Sequence, residues 1–394
     1  MRSPAARSPL GIVFLTVFLD LVGFGIVIPL LPLYAQRYGA GAVAVAWLLA
    51  VYSLMQFLFA PAWGRLSDRV GRRPVLLVGL FGSAATYLAF GMAGSFPLLF
   101  VARALNGAAG ANIGVAQAYV ADVTRPEERA RGMGMIGAAF GLGFIVGPAI
   151  GGVMSRWGFQ APFLCAAAIT FANAALAVFR LPESLPPERR TDRPRALTLT
   201  DRVRALFGRE TAGRLRALYL CGFLFILGSA AFEGTFSLWA DARWHMGRHD
   251  VAFFFVYLGA VVAIAQGGLV GPLVRRIGER RTALLGLASV AAGGVLAAEA
   301  TSWPVLFAGL GMLALGQGVA SPSISSLVSR QGSPAEQGRV LGIFQSLSAL
   351  GRAAGPVAGG VALAHVGLAA PFLSASAVSV AAAVVLLALA GVLA

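Results

Sequence analysis

The sequence predicts an all-α membrane protein with twelve transmembrane helices in two pseudo-symmetric six-helix bundles. Three observations predict it: an apolar composition with few charges, a series of apolar runs each long enough to cross a bilayer, and two copies of the same short motifs about 207 residues apart.

The chain has 394 residues, of which 58% are hydrophobic and 12% charged, and its mean hydropathy is +0.79. A soluble domain carries about 25% charged residues. Too few polar side chains remain to coat a water-facing surface of this size, so the expected solvent is lipid. The formal net charge is +15, and all 31 basic residues are arginine. Such a charge can indicate a nucleic-acid partner. Here the arginines lie in short loops between apolar runs, which argues against that class. Cys165 and Cys221 fall inside apolar runs at opposite ends of successive helices, and His245, His249 and His365 fall in outer loops. No disulfide, metal centre or nucleophile is expected from that distribution.

A span needs about 20 mostly apolar residues. Runs of that kind occupy roughly 9–34, 44–63, 74–94, 97–119, 132–154, 161–180, 216–240, 251–271, 282–300, 303–326, 338–362 and 369–392. The first is too long for the apolar region of a cleavable signal peptide and is followed by more spans. Basic residues set the orientation. Arg37, Arg156, Arg243 and Arg248 fall in outer loops, Arg103 and Arg352 within spans, and the remaining 25 of 31 in the termini or in loops after even-numbered spans. Those loops and both termini are therefore expected in the cytoplasm, with the chain in a bacterial-type inner membrane. Trp47, Trp157, Trp244 and Trp303 fall at outer span ends, where interfacial aromatics are enriched.

The expected organisation is a first bundle over 1–180, a cytoplasmic linker over 181–215 and a second bundle over 216–394. The linker opens with Leu-Pro-Glu-Ser-Leu-Pro-Pro-Glu-Arg-Arg, a composition of loops. Within it Leu199, Val203, Leu206 and Phe207 recur at helical spacing before Gly208. Two readings stand: a short helix lying on the inner membrane surface, or a basic tether.

The two halves repeat one another. Gly64-Arg-Leu-Ser-Asp-Arg-Val-Gly-Arg-Arg follows span two, and Gly271-Pro-Leu-Val-Arg-Arg-Ile-Gly-Glu-Arg follows span eight, offset by 207. Gly147-Pro-Ala-Ile-Gly-Gly closes span five, and Gly355-Pro-Val-Ala-Gly-Gly closes span eleven, offset by 208; Arg131 and Arg339 match at that same offset. Two matched loops at nearly one offset indicate duplication. Paired six-helix halves related by an axis along the membrane normal build transporters with a site where the repeats meet.

These motifs carry a resemblance. Gly64-x-Leu-x-Asp68-Arg69-x-Gly71-Arg72-Arg73 resembles the loop signature of the major facilitator superfamily. Gly147-Pro148-x-x-Gly151-Gly152 resembles the span-five signature of its antiporters, and the run from Asp20 through Gly23, Gly25, Pro29 and Pro32 resembles its drug/proton antiporter branch. Ala118-Tyr-Val-Ala-Asp122-Val-Thr and Arg129-Ala-Arg131 resemble the tetracycline-exporter group. The resemblance covers nearly the whole chain. It implies a major facilitator fold working as a monomer, with a small-molecule substrate, protons as the coupling ion, the lipid bilayer as surroundings, and no cofactor beyond the proton gradient.

The intramembrane charges are the candidate site. Asp20 sits near the middle of span one, where insertion of an Asp costs about 2.5–3.5 kcal/mol. A carboxyl held there is a natural place to bind and release a proton, or else a structural hydrogen-bonding group. Arg103 in span four stays charged and needs a counter-charge or acceptor. The resemblance implies a part in proton coupling with Asp20; the other reading is a purely structural ion pair. Glu233 in the outer half of span seven is placed to bind a cationic substrate or a second proton, or simply faces an outer vestibule. Arg352 in span eleven is placed to attract anionic groups or pair with Glu233. Asn106, Gln266 and Gln317 are further polar candidates for a substrate cavity. Gly64, Asp68, Arg69, Gly71, Arg72 and Arg73 would form an inner gate. Gly147, Pro148, Gly151 and Gly152 would let span five pack closely and bend, and the resemblance implies that this helix limits leakage.

The sequence departs from tetracycline exporters at three places. The acid of span three, the His of span eight and the acid of span nine align with Thr86, Val262 and Val290. The expected function is secondary active export of amphipathic drugs, tetracycline-like or multidrug, or of metabolites, by alternating access. Proton-coupled uptake of a small polar nutrient and a transporter-like membrane sensor are the alternatives. No phosphate-binding Gly-x-x-x-x-Gly-Lys motif is found, and enzymatic activity is not expected.

Overall fold

The computed structural model describes residues 9–124, 129–190, 213–331 and 337–389. Among the described residues there are fourteen α-helices and no strand. In chain order they are α1 (Pro9–Val27), α2 (Leu31–Gln36), α3 (Ala42–Val70), α4 (Arg72–Gly91), α5 (Phe96–Ala109), α6 (Ile113–Val123), α7 (Arg129–Met154), α8 (Ala161–Arg180), α9 (Gly213–Trp244), α10 (Arg248–Ile264), α11 (Val270–Ala298), α12 (Trp303–Ser329), α13 (Gln337–His365) and α14 (Ala370–Ala388). The possible surface helix at 199–208 lies outside the described residues.

Eleven stretches are long and apolar enough to cross a membrane. One of them, Arg248–Ala298, has 51 residues, about 77 Å of helix at 1.5 Å per residue, against a hydrocarbon core of about 30 Å. The backbone breaks inside it at Gly278, with φ 81° and ψ 160°. Glycine adopts that conformation without the penalty a side chain would bring. This stretch therefore holds spans eight and nine, and the twelve expected spans are accounted for. The matching break in the first half is Gly71, with φ 107° and ψ 162°, between α3 and α4. The duplicated loop is thus the same bend in both copies.

Two long spans depart locally from the regular helix. Span four is divided between α5 and α6 by a 3-10 turn over Gly110–Asn112. Two carbonyls near the break take donors from α3: Trp63 Nε1 donates to the Ala108 oxygen at 2.6 Å and Gln56 Nε2 to the Gly110 oxygen at 3.1 Å. A π-helical turn, Ala265–Leu269, joins α10 to α11. Side chains such as Leu105, Phe171, Phe179 and Val384 are more than half exposed, as lipid-facing positions require.

The chain forms two compact units. The first gathers residues 1–38, 55–196 and 248–256; the second gathers 39–54, 197–247 and 257–394. The start of α3 thus belongs with the later helices, and the start of α10 with the earlier ones. Small residues allow this. In the first unit a Cβ added to Gly152 would lie 2.8 Å from the Ala252 Cβ, and in the second a Cβ added to Gly360 would lie 2.5 Å from the Ala46 Cβ. Arg248 also lays its guanidinium over the Phe159 ring, 4.0 Å from its centre.

Each unit contains a close helix crossing of the same kind. In the first, α1 meets α7: a Cβ on Gly147 would lie 2.7 Å from the Gly25 Cα and from the Val22 oxygen, and one on Gly151 3.1 Å from the Ile26 oxygen. In the second, α9 meets α13 in the same manner, Gly355 against the Leu227 oxygen at 2.6 Å and Gly359 against the Ala231 oxygen at 2.7 Å. Small residues bring membrane helices close enough for backbone-to-backbone packing. The signature seen twice in the sequence is seen twice as a crossing. Around the first crossing Val13, Val17 and Leu21 of α1 pack with Val115 and Tyr119 of α6 and Ile136 of α7.

Candidate functional site

Asp20 is carried in an apolar helix, and its Oδ1 atom is shielded from solvent with no hydrogen-bond partner among the described residues. Phe24 follows it by one turn, so both lie on one stripe of α1. Over the Phe24 ring, 5.6 Å from its centre, lies the guanidinium of Arg103 from α5. Arg103 is 2% exposed. No ion pair joins Asp20 and Arg103. Arg103 instead donates from Nη1 to Asn106 Oδ1 at 3.3 Å. Asn106, itself 1% exposed, donates from Nδ2 to Thr86 Oγ1 at 2.8 Å, and Thr86 donates to the Ser83 oxygen at 2.9 Å. A buried chain of donors and acceptors therefore runs from Arg103 of span four to Thr86 of span three. Asn106 is enclosed between α4 and α5 in this chain. Sequence reasoning named its ends and missed its connection, because Thr86 and Asn106 are 20 residues apart.

In the second unit Glu233 of α9 and Arg352 of α13 are electrostatic neighbours, and Tyr52 of α3 is a third member of the group. The carboxylate and guanidinium make no direct ion pair. Glu233 stands as an exposed side chain in a stretch of α9 whose neighbours are buried. Gln266 is exposed in the π-helical turn. Irregular turns of that type recur at functional sites. Gln317 of α12 has a shielded Nε2 with no partner among the described residues, and beside it Gly318 packs on Ala265.

The candidate gate residues gather at the α3–α4 bend. Asp68 pairs with Arg72 at 2.5 Å, and Arg72 Nε also reaches Asp122 Oδ2 of α6 at 3.2 Å. Ser67 accepts from Arg72 Nη1 at 2.6 Å, and its hydroxyl donates to the Gly64 oxygen at 2.8 Å. The bend is also held by a residue that sequence reasoning read only as linker. Glu183, beyond the end of α8, accepts from the main-chain N–H of Arg72 at 2.9 Å and of Arg73 at 3.2 Å. A carboxylate there satisfies free amides at a helix start and is favoured by its dipole. A Cβ on Gly71 would collide with the Glu183 carboxylate, which gives this glycine a second reason beside its φ. Arg73 Nη2 completes the knot by donating to the Val178 oxygen at 2.6 Å. Arg69 is exposed at the end of α3. The side chains of Arg129, Arg131 and Arg339 lie outside the described residues. Among the described residues no group of His, Cys, Asp and Glu is arranged to hold a metal ion.

Comparison with known proteins gives a consistent result. The chain matches the Major Facilitator Superfamily over residues 13–265 and 218–392. It is 36% identical over 360 residues to a class G tetracycline resistance protein of Vibrio anguillarum, and 34% identical over 355 residues to the class C protein of Escherichia coli, covering 89% of both chains in each case. Among solved structures it resembles the human organic anion transporter MFSD10, with a TM-score of 0.74 and 29% identity, covering 98% of this chain and 100% of that one.

Proposed function

Because the chain belongs to the Major Facilitator Superfamily and is a membrane transporter rather than an enzyme, we propose that it is a proton-coupled antiporter that exports amphipathic drugs or metabolites by alternating access. The single observation that carries this reading is Asp20. An acid in the middle of an apolar helix, with a shielded oxygen that has no hydrogen-bond partner among the described residues, is costly and is readily explained as a proton site. Arg103, held over the Phe24 ring and on Asn106 with no ion pair to Asp20, would supply the positive charge that competes with the proton in another conformation of the transport cycle. The names of the tetracycline resistance relatives support drug export.

The energetics allow it. One charge crossing 100 mV is worth about 2.3 kcal/mol, so roughly 150 mV of proton motive force supplies about 3.5 kcal/mol. That sustains a substrate gradient of a few hundredfold. The protein would act as a monomer in the cytoplasmic membrane, both termini inside, needing the proton gradient and no bound cofactor. A second reading of the substrate is an organic anion, favoured by the intramembrane cation Arg352 and by the structural relative described as an organic anion transporter.

The test is a drug-susceptibility panel in an efflux-deficient bacterial host, with cationic, zwitterionic and anionic amphiphiles. Expression should raise tolerance to at least one of them, and Asp20→Asn should remove the gain. Unchanged tolerance throughout, with correctly inserted protein, would count against export.

A further inference from the structure

The second unit contains a cavity of about 800 Å³ where α9, α11, α12 and α14 come together near the Gly278 bend. Its charged lining is four arginines, Arg214, Arg280, Arg281 and Arg330, against one acid, Glu279. The acid is already engaged: Glu279 Oε1 receives Arg330 Nη2 at 2.9 Å and the Ser326 hydroxyl at 2.6 Å. Arg280 is engaged too, donating to the Leu386 and Leu387 oxygens at 3.2 and 3.1 Å. Arg214 and Arg281 are exposed and have no carboxylate at ion-pair distance among the described residues.

The internal repeat shows what this place lacks. Gly71 and Gly278 make the same bend. Arg73 ties the end of α8, and Arg280, 207 positions later, ties the end of α14 in the same way. In the first unit the chain's own Glu183 carboxylate fills the crook of the bend and binds the first amides of α4. In the second, nothing among the described residues lies within 4 Å of the corresponding point on Gly278, and the cavity with its arginines is there instead. The bend and the tying arginine are kept, Asp68 and Arg72 are replaced by Arg275 and Glu279, and the carboxylate in the crook has no counterpart among the described residues.

We propose that this cavity binds the headgroup of an anionic phospholipid, whose phosphate takes the place that Glu183 fills in the first unit. Arg214 and Arg281 would hold the phosphate. A lipid suits the cavity better than a free anion because part of the lining is apolar, with Ile277 and Leu284 within it and the half-exposed Leu387 at its edge. Phosphate beside arginine and acyl chain beside leucine is the arrangement of the headgroup boundary. Basic pockets between membrane helices on the cytoplasmic side bind such headgroups. The proposal rests on the orientation read from the arginines, and on no step of transport.

The test is lipid retention by the purified full chain in detergent, measured by native mass spectrometry with added phosphatidylglycerol or phosphatidylcholine. Phosphatidylglycerol should be held preferentially, and Arg281→Gln and Arg214→Gln should each weaken it about fivefold. Lysine at either position should preserve binding. Arg180→Gln, an exposed charge outside the cavity, should leave it unchanged, and millimolar inorganic phosphate should not displace the lipid. Equal retention of phosphatidylcholine, full retention by the double glutamine variant, an equal loss in Arg180→Gln, or displacement by phosphate would each overturn the proposal. Because the readout is binding without a pH gradient, its failure is separate from failure of the transport reading.

Discussion

Glu183 accepts a hydrogen bond from the main-chain N–H of Arg72 at 2.9 Å, across 111 residues of sequence, and so joins the exit of α8 to the start of α4. The same carboxylate reaches Arg73 N and the amides of Ser184 and Leu185. Losing it leaves amides of a helix start without an acceptor. Glu183→Ala should lower stability by about 1–2 kcal/mol, the upper range for loss of a helix cap. Thermal unfolding in detergent reads this directly; Glu183→Gln, which keeps an acceptor oxygen, should lose less.

The buried chain from Arg103 through Asn106 to Thr86 is a second target. Asn106→Leu removes both the acceptor for the guanidinium and the donor to Thr86. Leaving a buried polar group unsatisfied costs about 1–3 kcal/mol, more when it is charged. Both stability and transport rate should fall. Thr86→Val keeps the Arg103–Asn106 contact and should fall less on both measures.

The close crossings predict which glycines tolerate a methyl group. Gly147→Ala and Gly355→Ala would each drive a Cβ into neighbouring backbone at 2.6–2.7 Å, and overpacking of this kind costs about 1–3 kcal/mol. Gly137 and Gly141, on the same helix as Gly147, have nothing within 4 Å. Gly137→Ala and Gly141→Ala should leave the midpoint of thermal unfolding unchanged or slightly raised, since Ala favours helix over Gly by about 1 kcal/mol.

Asp68 engages Arg72, which in turn holds Asp122. If this cluster times the opening of an inner gate, Asp68→Asn should slow turnover while leaving substrate affinity intact. Initial transport rates and equilibrium binding, measured on the same preparation, separate the two. A normal rate would dismiss the gate reading.

Much of this was readable from the residues alone because membrane proteins advertise their helices. Apolar runs gave the spans, and the Gly-rich motif pointed to close packing of span five, but not to its partner α1, which it approaches at Gly25 and Gly147. What escaped sequence reasoning is tertiary. Glu183 looked like linker because its partners lie 110 and 111 residues earlier. The breaks at Gly110–Asn112 and Ala265–Leu269 leave no mark in hydropathy, because the freed carbonyls of span four are met by Trp63 and Gln56 from another helix. The grouping of the start of α3 with the later helices depends on small side chains at Ala46 and Gly360, a signal lost among 50 glycines.

The claim on which the functional account turns is that residue 20 carries the coupled proton. Reconstituted into proteoliposomes with an imposed pH gradient, the wild-type chain should move substrate against its gradient and move protons the other way. Asp20→Asn, inserted and folded to the same extent, should still exchange substrate down its own gradient yet show no response to pH. Pumping by the Asn variant at the wild-type rate would contradict the account.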